Sequence, residues 1–143
     1  MPERPPFSPV IALLTLSSVW DAQLTGALKD LGLTTRKYGL LAHIHVTPGI
    51  SFSELARRSQ ITVQTAHTAV RALQEEGLVS DATAQAGAAS DLRPTAKGES
   101  ALAEAERRLA RLDAAFAGGA PTLTRALEGE PHDEPFGANL QED

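Results

Sequence analysis

The sequence contains no cysteine, which removes disulfides, thiolate metal sites and thiol-based redox sensing in one step. That absence does not set the compartment, for which cytoplasm is the default. No apolar run is read as reaching the roughly 18 residues of a membrane span. The start MPERPPFSP has no basic region leading into a signal-like apolar segment. A soluble, cytoplasmic protein with no membrane partner is expected. A glycine-rich phosphate loop, a carboxylate pair in a recognisable setting, an HExxH and a nucleophile elbow are all missing, so an enzyme is not expected and no cofactor is implied. His43 and His45 lie two apart on a predicted helix, so they point in different directions and cannot share a metal as an i, i+4 pair could. No internal repeat is apparent.

An excess of basic charge is missing too. The formal net charge is −5, which at first sight disfavours a nucleic-acid partner, but the acids are unevenly placed. From Glu128 onward there are six acids (Glu128, Glu130, Asp133, Glu134, Glu142 and Asp143) and no Lys or Arg, which leaves thirteen bases against twelve acids in residues 1–127. Only clustering of a balance that weak can favour DNA. The length of 143 residues and a 42 % hydrophobic share suit about one domain with a modest core.

What is present is organised around SFSELARRSQITVQTAHTAVRALQEEGLV, residues 51–79, which reads as a helix-turn-helix. Ser51, three residues ahead of Glu54, forms a capping-box signature for the first helix, which carries Leu55 and Ala56 and then Arg57 and Arg58. In the second helix Ala66, Ala69, Val70 and Leu73 recur at i, i+3, i+4 and i+7, the stripe of a helix packed on one side. Thr62 is its N-cap and Gly77 its stop. The opposite face holds Gln64, Thr65, Thr68 and Arg71, with His67 beside them. These hydrogen-bonding types can read base edges and phosphates in a major groove; taken alone, a merely solvated face explains them as well.

Residues 1–8 read as a disordered arm, with Ser8 and Pro9 as an N-cap and first helical position. Leu13, Leu16, Trp20, Leu24, Ala27 and Leu31 then keep a helical period over about six turns, widened by Leu14, Ala22 and Leu28. So long and apolar a helix is a candidate subunit interface. Gly32 breaks it, and Thr34 or Thr35 caps a second helix with Tyr38, Leu41, Ala42 and Ile44 on its apolar side, ended by Pro48 and Gly49. After Val79, SDATAQAGAASDLRPTAKG suggests a β-hairpin or a loop. Lys97 and Gly98 precede a long helix rich in strong helix formers, with Ala101, Leu102, Ala105, Leu109, Leu112 and Phe116 as its stripe and Glu104 and Arg108 as an i, i+4 pair. Gly118, Gly119 and Pro121 stop it. TLTRALEG forms at most two further turns, and residues 128–143 read as an acidic disordered tail.

In this order the chain resembles the MarR family of bacterial winged-helix transcription regulators, from about Leu31 to Gly98. The residues that carry the resemblance are LGLTTRKYGLLAHI, PGISFSELARRSQITVQTAHTAVRALQEEGLV and LRPTAKG. The expected fold is mainly α with a small β wing: a winged helix-turn-helix domain at 32–98 between a dimerisation helix at 9–31 and a C-terminal dimerisation helical region at 99–127. The resemblance implies a homodimer on double-stranded DNA, with one recognition helix of each subunit in successive major grooves of a pseudo-palindromic operator. Gln64, Thr65, Thr68 and Arg71 fall on its DNA-facing side, and Thr62 where a phosphate contact is common. Arg57, Arg58 and Arg93 are further candidates for phosphate or base contacts, and His67 for a polar position near the DNA.

Two departures from the family stand out. Its wing usually carries an arginine that enters the minor groove, whereas the corresponding TAQAGAAS has no base and only Arg93 remains at the foot of the returning strand. The C-terminal helix that commonly completes the dimer is replaced by a break and an acidic run. The resemblance also implies a small effector, often aromatic and acidic, bound between the dimerisation helices and the winged domain, with Trp20 and Tyr38 as lining candidates and core packing as their competing role. The expected function is a ligand-responsive repressor. The alternative is a winged-helix protein-interaction module with lost or weakened DNA binding, the acidic tail being its partner-binding segment or a mimic of nucleic acid.

Overall fold

The structure, a computed structural model, describes residues 3–82 and 90–129. Its helices begin where the sequence supplies hydroxyl caps. Helix α1, Pro9–Leu28, starts with proline in its first turn, and the Ser8 hydroxyl accepts the Ile11 N–H at 3.3 Å. A 3₁₀ turn, Lys29–Leu31, follows and ends on Gly32 at φ 72°, a left-handed conformation that costs glycine little. Helix α2, Thr35–Val46, is capped by Thr34. Helix α3, Phe52–Ser59, is capped by Ser51, and α4, Val63–Glu75, by Thr62.

Strands β1, Val79–Asp81, and β2, Leu92–Pro94, pair antiparallel with Ser80 opposite Arg93, and the Gly49 N–H donates to the Leu92 carbonyl at 2.8 Å, tying the α2–α3 connection to the wing. The arginine-free wing tip, residues 83–89, lies outside the described residues, as do residues 130–143 of the acidic tail. Helix α5, Ala96–Gly119, and α6, Pro121–Glu128, are the last described elements, so the break at Gly119 and Ala120 leads first into a further short helix and not directly into the acidic run. The start of α5 corrects the reading that Lys97 and Gly98 lie ahead of the helix. Thr95 is the cap, its hydroxyl accepting the Gly98 N–H at 3.0 Å and donating to the Gly77 carbonyl at 2.6 Å.

One hydrophobic core joins Leu28, Leu41 and Ile44 to Leu55 of α3, Val70 and Leu73 of α4, Leu92 of the wing and Leu102 of α5. The buried stripe of α4 is therefore the face that seats it on the scaffold. Its C-terminus is held by α5 as well: Lys97 Nζ donates to the Glu76 carbonyl at 2.8 Å, while the Glu76 carboxylate receives Lys37 Nζ of α2, also at 2.8 Å. Two links across the chain thus set the orientation of the helix that faces outward.

Helix α1 is apolar on two sides. Leu28 is fully buried and Trp20 meets Phe116 of α5 edge to face, centroids 5.2 Å apart. Arg108 of α5 locks the end of α1, donating to the Ala27 carbonyl at 2.7 Å and pairing with Asp30 and Glu104. The outer side leaves Val10 65 %, Ile11 62 % and Leu14 59 % exposed. With its 3₁₀ extension the segment is 23 residues long, and its most apolar 18-residue window has a mean hydropathy of 1.2, enough by length and composition to cross a membrane. That corrects the expectation that nothing in the chain qualifies. Thr15, the pair Ser17 and Ser18, Asp21, Gln23 and Thr25 interrupt every run, yet the average over the window stays high.

Candidate functional site

The exposed side of α4 is built by helical spacing. Gln64, Thr68 and Arg71 stand at i, i+4 and i+7, exposed, opposite the buried Ala66, Val70 and Leu73. Thr62 is occupied at the cap: its hydroxyl accepts the Thr65 N–H at 3.0 Å and donates to the Thr65 hydroxyl at 2.8 Å. Thr65 is consequently half-buried at the side of the row rather than in it. The Thr68 hydroxyl donates to the Gln64 carbonyl at 3.1 Å, which leaves its oxygen free to accept.

His67 is exposed, as expected, but it is not loose. Its ring stacks on Phe52 of α3 with centroids 3.8 Å apart and planes 20° from parallel. Sequence reasoning missed Phe52 as a support for this face. The available signal was a large aromatic in the first turn of a short polar helix.

The arginines differ in how committed they are. Arg57 donates to both Glu54 oxygens, at 2.9 and 2.6 Å. Arg58 donates to Glu54 at 2.8 Å and to the Thr47 hydroxyl at 2.8 Å. Arg93 lies 3.1 Å from Asp91. Arg71 has no hydrogen-bond or ion-pair partner among the described residues. The structure therefore separates Arg71 from the other three candidates, which sequence spacing treats alike.

Glu54 also departs from its capping-box role. Ser51 accepts the Glu54 N–H at 3.1 Å, but the Glu54 carboxylate turns forward to the two arginines instead of back to the Ser51 N–H. Hydrogen bonds from Arg57 and then from Arg58 pull its carboxyl from 4.5 down to about 2. A carboxyl lowered on folding stabilises the fold above its unfolded pKa, and that contribution is lost as pH falls through the folded value. The acid limb of thermal stability between about pH 4.5 and 2 is expected to be shallower in Glu54→Gln than in wild type. Melting curves at stepped pH check this; parallel limbs would remove Glu54 as their source.

A second feature lies among α1, α5 and α6. It is a cavity of about 450 Å³ walled by Leu16, Trp20, Leu24, Leu112, Phe116 and Leu123, within the size range of small-molecule sites. Trp20 lines it. Tyr38 does not: it packs half-buried on the core from α2, and burial first, then the charges of Glu106 and Asp113, push its hydroxyl up. Thr35 and Asp21 stand at the rim, hydrogen-bonded at 2.9 Å. Sequence reasoning missed Asp21 as well, although it is the one charged residue of α1.

Comparison with known proteins decides the family. The HTH-type transcriptional repressor Rv2887 of Mycobacterium tuberculosis is 31 % identical to this chain over 103 residues, 71 % of the chain and 74 % of the relative. The chain belongs to the MarR family. The MarR family profile matches residues 31–87, the stretch that holds the helix-turn-helix and the start of the wing. Members of the MarR family are transcription regulators, not enzymes.

The Mycobacterium bovis repressor Mb2911 matches to the same extent, 31 % over 103 residues, 71 % of this chain and 74 % of its own. Among solved structures, Rv2887 in complex with DNA superposes with a TM-score of 0.70 at 27 % identity, covering 87 % of this chain and 100 % of that one. Rv2887 in complex with salicylic acid gives 0.65 at 27 % identity, covering 86 % and 96 %. The mainly α fold with a two-stranded wing is thus that of MarR winged-helix proteins.

Proposed function

We propose that this MarR-family chain is a ligand-responsive repressor that binds a pseudo-palindromic operator as a homodimer, setting α4 of each subunit in successive major grooves. The observation that carries the reading is the exposed row of Gln64, Thr68 and Arg71 on a helix whose other face and C-terminus are fixed to the core. A guanidinium with no partner among the described residues has its donors open to phosphate or a guanine edge. His67, held flat by Phe52, is positioned beside that row. Thr62, whose hydroxyl proton is already given to Thr65, contributes through the α4 N-terminus it caps. Repression is by occlusion and involves no bond chemistry. The solved complexes of Rv2887 with DNA and with salicylic acid support both halves of the reading.

In this reading residues 9–31 and 99–127 form the dimerisation regions and 32–98 the DNA-binding domain, in the cytoplasm. The outer side of α1 is the support: Val10, Ile11 and Leu14, each more than half exposed, are side chains whose remaining surface, if buried, stabilises an assembly by about 1–2 kcal/mol apiece. A small aromatic effector bound near Trp20 then shifts the spacing of the two recognition helices, which requires only that it bind one spacing more tightly.

The test is fluorescence anisotropy on DNA flanking the protein's own gene, at low and then moderate salt, with sedimentation of the same samples. Wild type is expected to be a dimer with steeply salt-dependent, site-selective binding. The double variant Ile11→Asp, Leu14→Asp is expected to sediment as a monomer and to lose selective binding. Equal, weak binding to every fragment by wild type would overturn the repressor reading in favour of an interaction module.

A further inference from the structure

The walls of the cavity are apolar, and its charged groups have one sign. Among the described residues that line it are Asp21 of α1 and Asp113 of α5, and no Lys or Arg. The other polar groups there are the hydroxyls of Ser17 and Thr35, and Thr35 already donates to Asp21 at 2.9 Å. Trp20 and Phe116 meet edge to face inside it, which leaves ring faces of the kind that attract a cation electrostatically. The nearby Tyr38 hydroxyl is pushed up first by its burial and then by the negative charge of Glu106 and Asp113. Of the two cavity carboxylates, Asp113 is the one whose charge reaches that neighbouring group.

An aromatic carboxylate entering this space would lose hydration and gain no cationic partner, while facing two carboxylates. Burial of an unpaired charge is among the costlier events in a protein interior. An organic ammonium of the same size would gain two opposite charges and the aromatic faces. We infer that the effector site of this protein takes a lipophilic organic cation, an aryl or aralkyl ammonium, rather than an aromatic acid. This rests on the ligand-responsive reading above and sets this chain apart from its relative Rv2887, solved with salicylic acid.

The probes are three compounds sharing one ring system, 1-naphthylmethylammonium, 1-naphthylmethanol and 1-naphthoate, together with salicylate, titrated calorimetrically into the full chain at low salt. The ammonium is expected to bind at least tenfold more tightly than naphthoate, with the neutral alcohol between them. Asp113→Asn and Asp21→Asn, isosteric changes at exposed positions, are each expected to weaken the ammonium about tenfold and to leave the alcohol unchanged, the signature of partly screened charge pairs. Naphthoate or salicylate binding as tightly as the ammonium would overturn the inference. So would ammonium binding indifferent to both variants, or no binding by any probe, the result if a helix of a second copy fills the cavity. Operator binding measured without probe separates the two levels. A chain that binds DNA selectively but ignores the ammonium leaves the repressor reading intact and the cation site refuted.

Discussion

Replacing Gly98 with alanine is expected to destabilise the fold by about 3 kcal/mol, the upper part of the range for overpacking a close-packed site. Helix propensity alone points the other way, since alanine in place of a helical glycine ordinarily stabilises by about 1 kcal/mol. Packing wins because of what a Cβ at this position would meet: the Leu78 carbonyl oxygen at 2.0 Å and its carbon at 3.0 Å, both backbone atoms. That carbonyl cannot retreat cheaply. It accepts the Thr95 N–H at 3.0 Å, and Leu78 is itself buried at the junction of α4 and β1. The helix α5 would have to lift away, taking with it the Thr95 and Lys97 bonds that hold the end of α4. Urea denaturation should show a lower midpoint with an unchanged slope. Gly39→Ala is the control, because nothing lies within 4 Å of its added Cβ, and it should be neutral or stabilising. Equal stability of Gly98→Ala and wild type would refute the close approach of α5 to Leu78.

Arg71→Ala is expected to weaken operator binding by roughly 10- to 100-fold per half-site, the range for an arginine reading a base edge, and a dimer engages two half-sites. Arg57→Ala and Arg58→Ala are expected to cost much less. Their guanidiniums are held by Glu54, and either must first give up that pair to reach DNA. A comparison across cognate and scrambled sequences distinguishes the roles. If Arg71 reads a base, the mutant loses discrimination at one position of each half-site; if it binds phosphate, affinity falls uniformly and the salt slope drops by about one for each phosphate no longer neutralised. Equal losses of affinity from all three substitutions would show that the internal ion pairs do not rank these arginines.

Much of the scaffold is legible from residue order alone. The N-caps Ser8, Thr34, Ser51 and Thr62 each accept a backbone N–H three residues on, because capping is a local geometry decided by neighbouring residues. The buried and exposed faces of α4 likewise follow from a period of 3.6. What escapes such reading is non-local or a choice between partners. Thr95 caps α5 with the same three-residue spacing, but its second bond, donated to the Gly77 carbonyl, joins residues 18 apart in the chain. Glu54 fits a capping box equally well by spacing, and two arginines compete successfully for its carboxylate.

Spacing within about 20 residues, or a contiguous motif, was enough for most of the helices, the polar outer face of α4 and the family resemblance. Which of these side chains find partners was decided by folding. It pairs Arg57, Arg58 and Arg93 with carboxylates and leaves Arg71 without a partner among the described residues; it stacks His67 on Phe52 and withdraws Tyr38 from the cavity that Trp20 lines. The arginine pairs are local in sequence, but several rotamers could have broken them. The cavity brings Asp21 to the same space as Asp113, nearly a hundred positions away. Distance along the chain carries no information about such a meeting, so the charge of the space a ligand would enter could be read only from the fold.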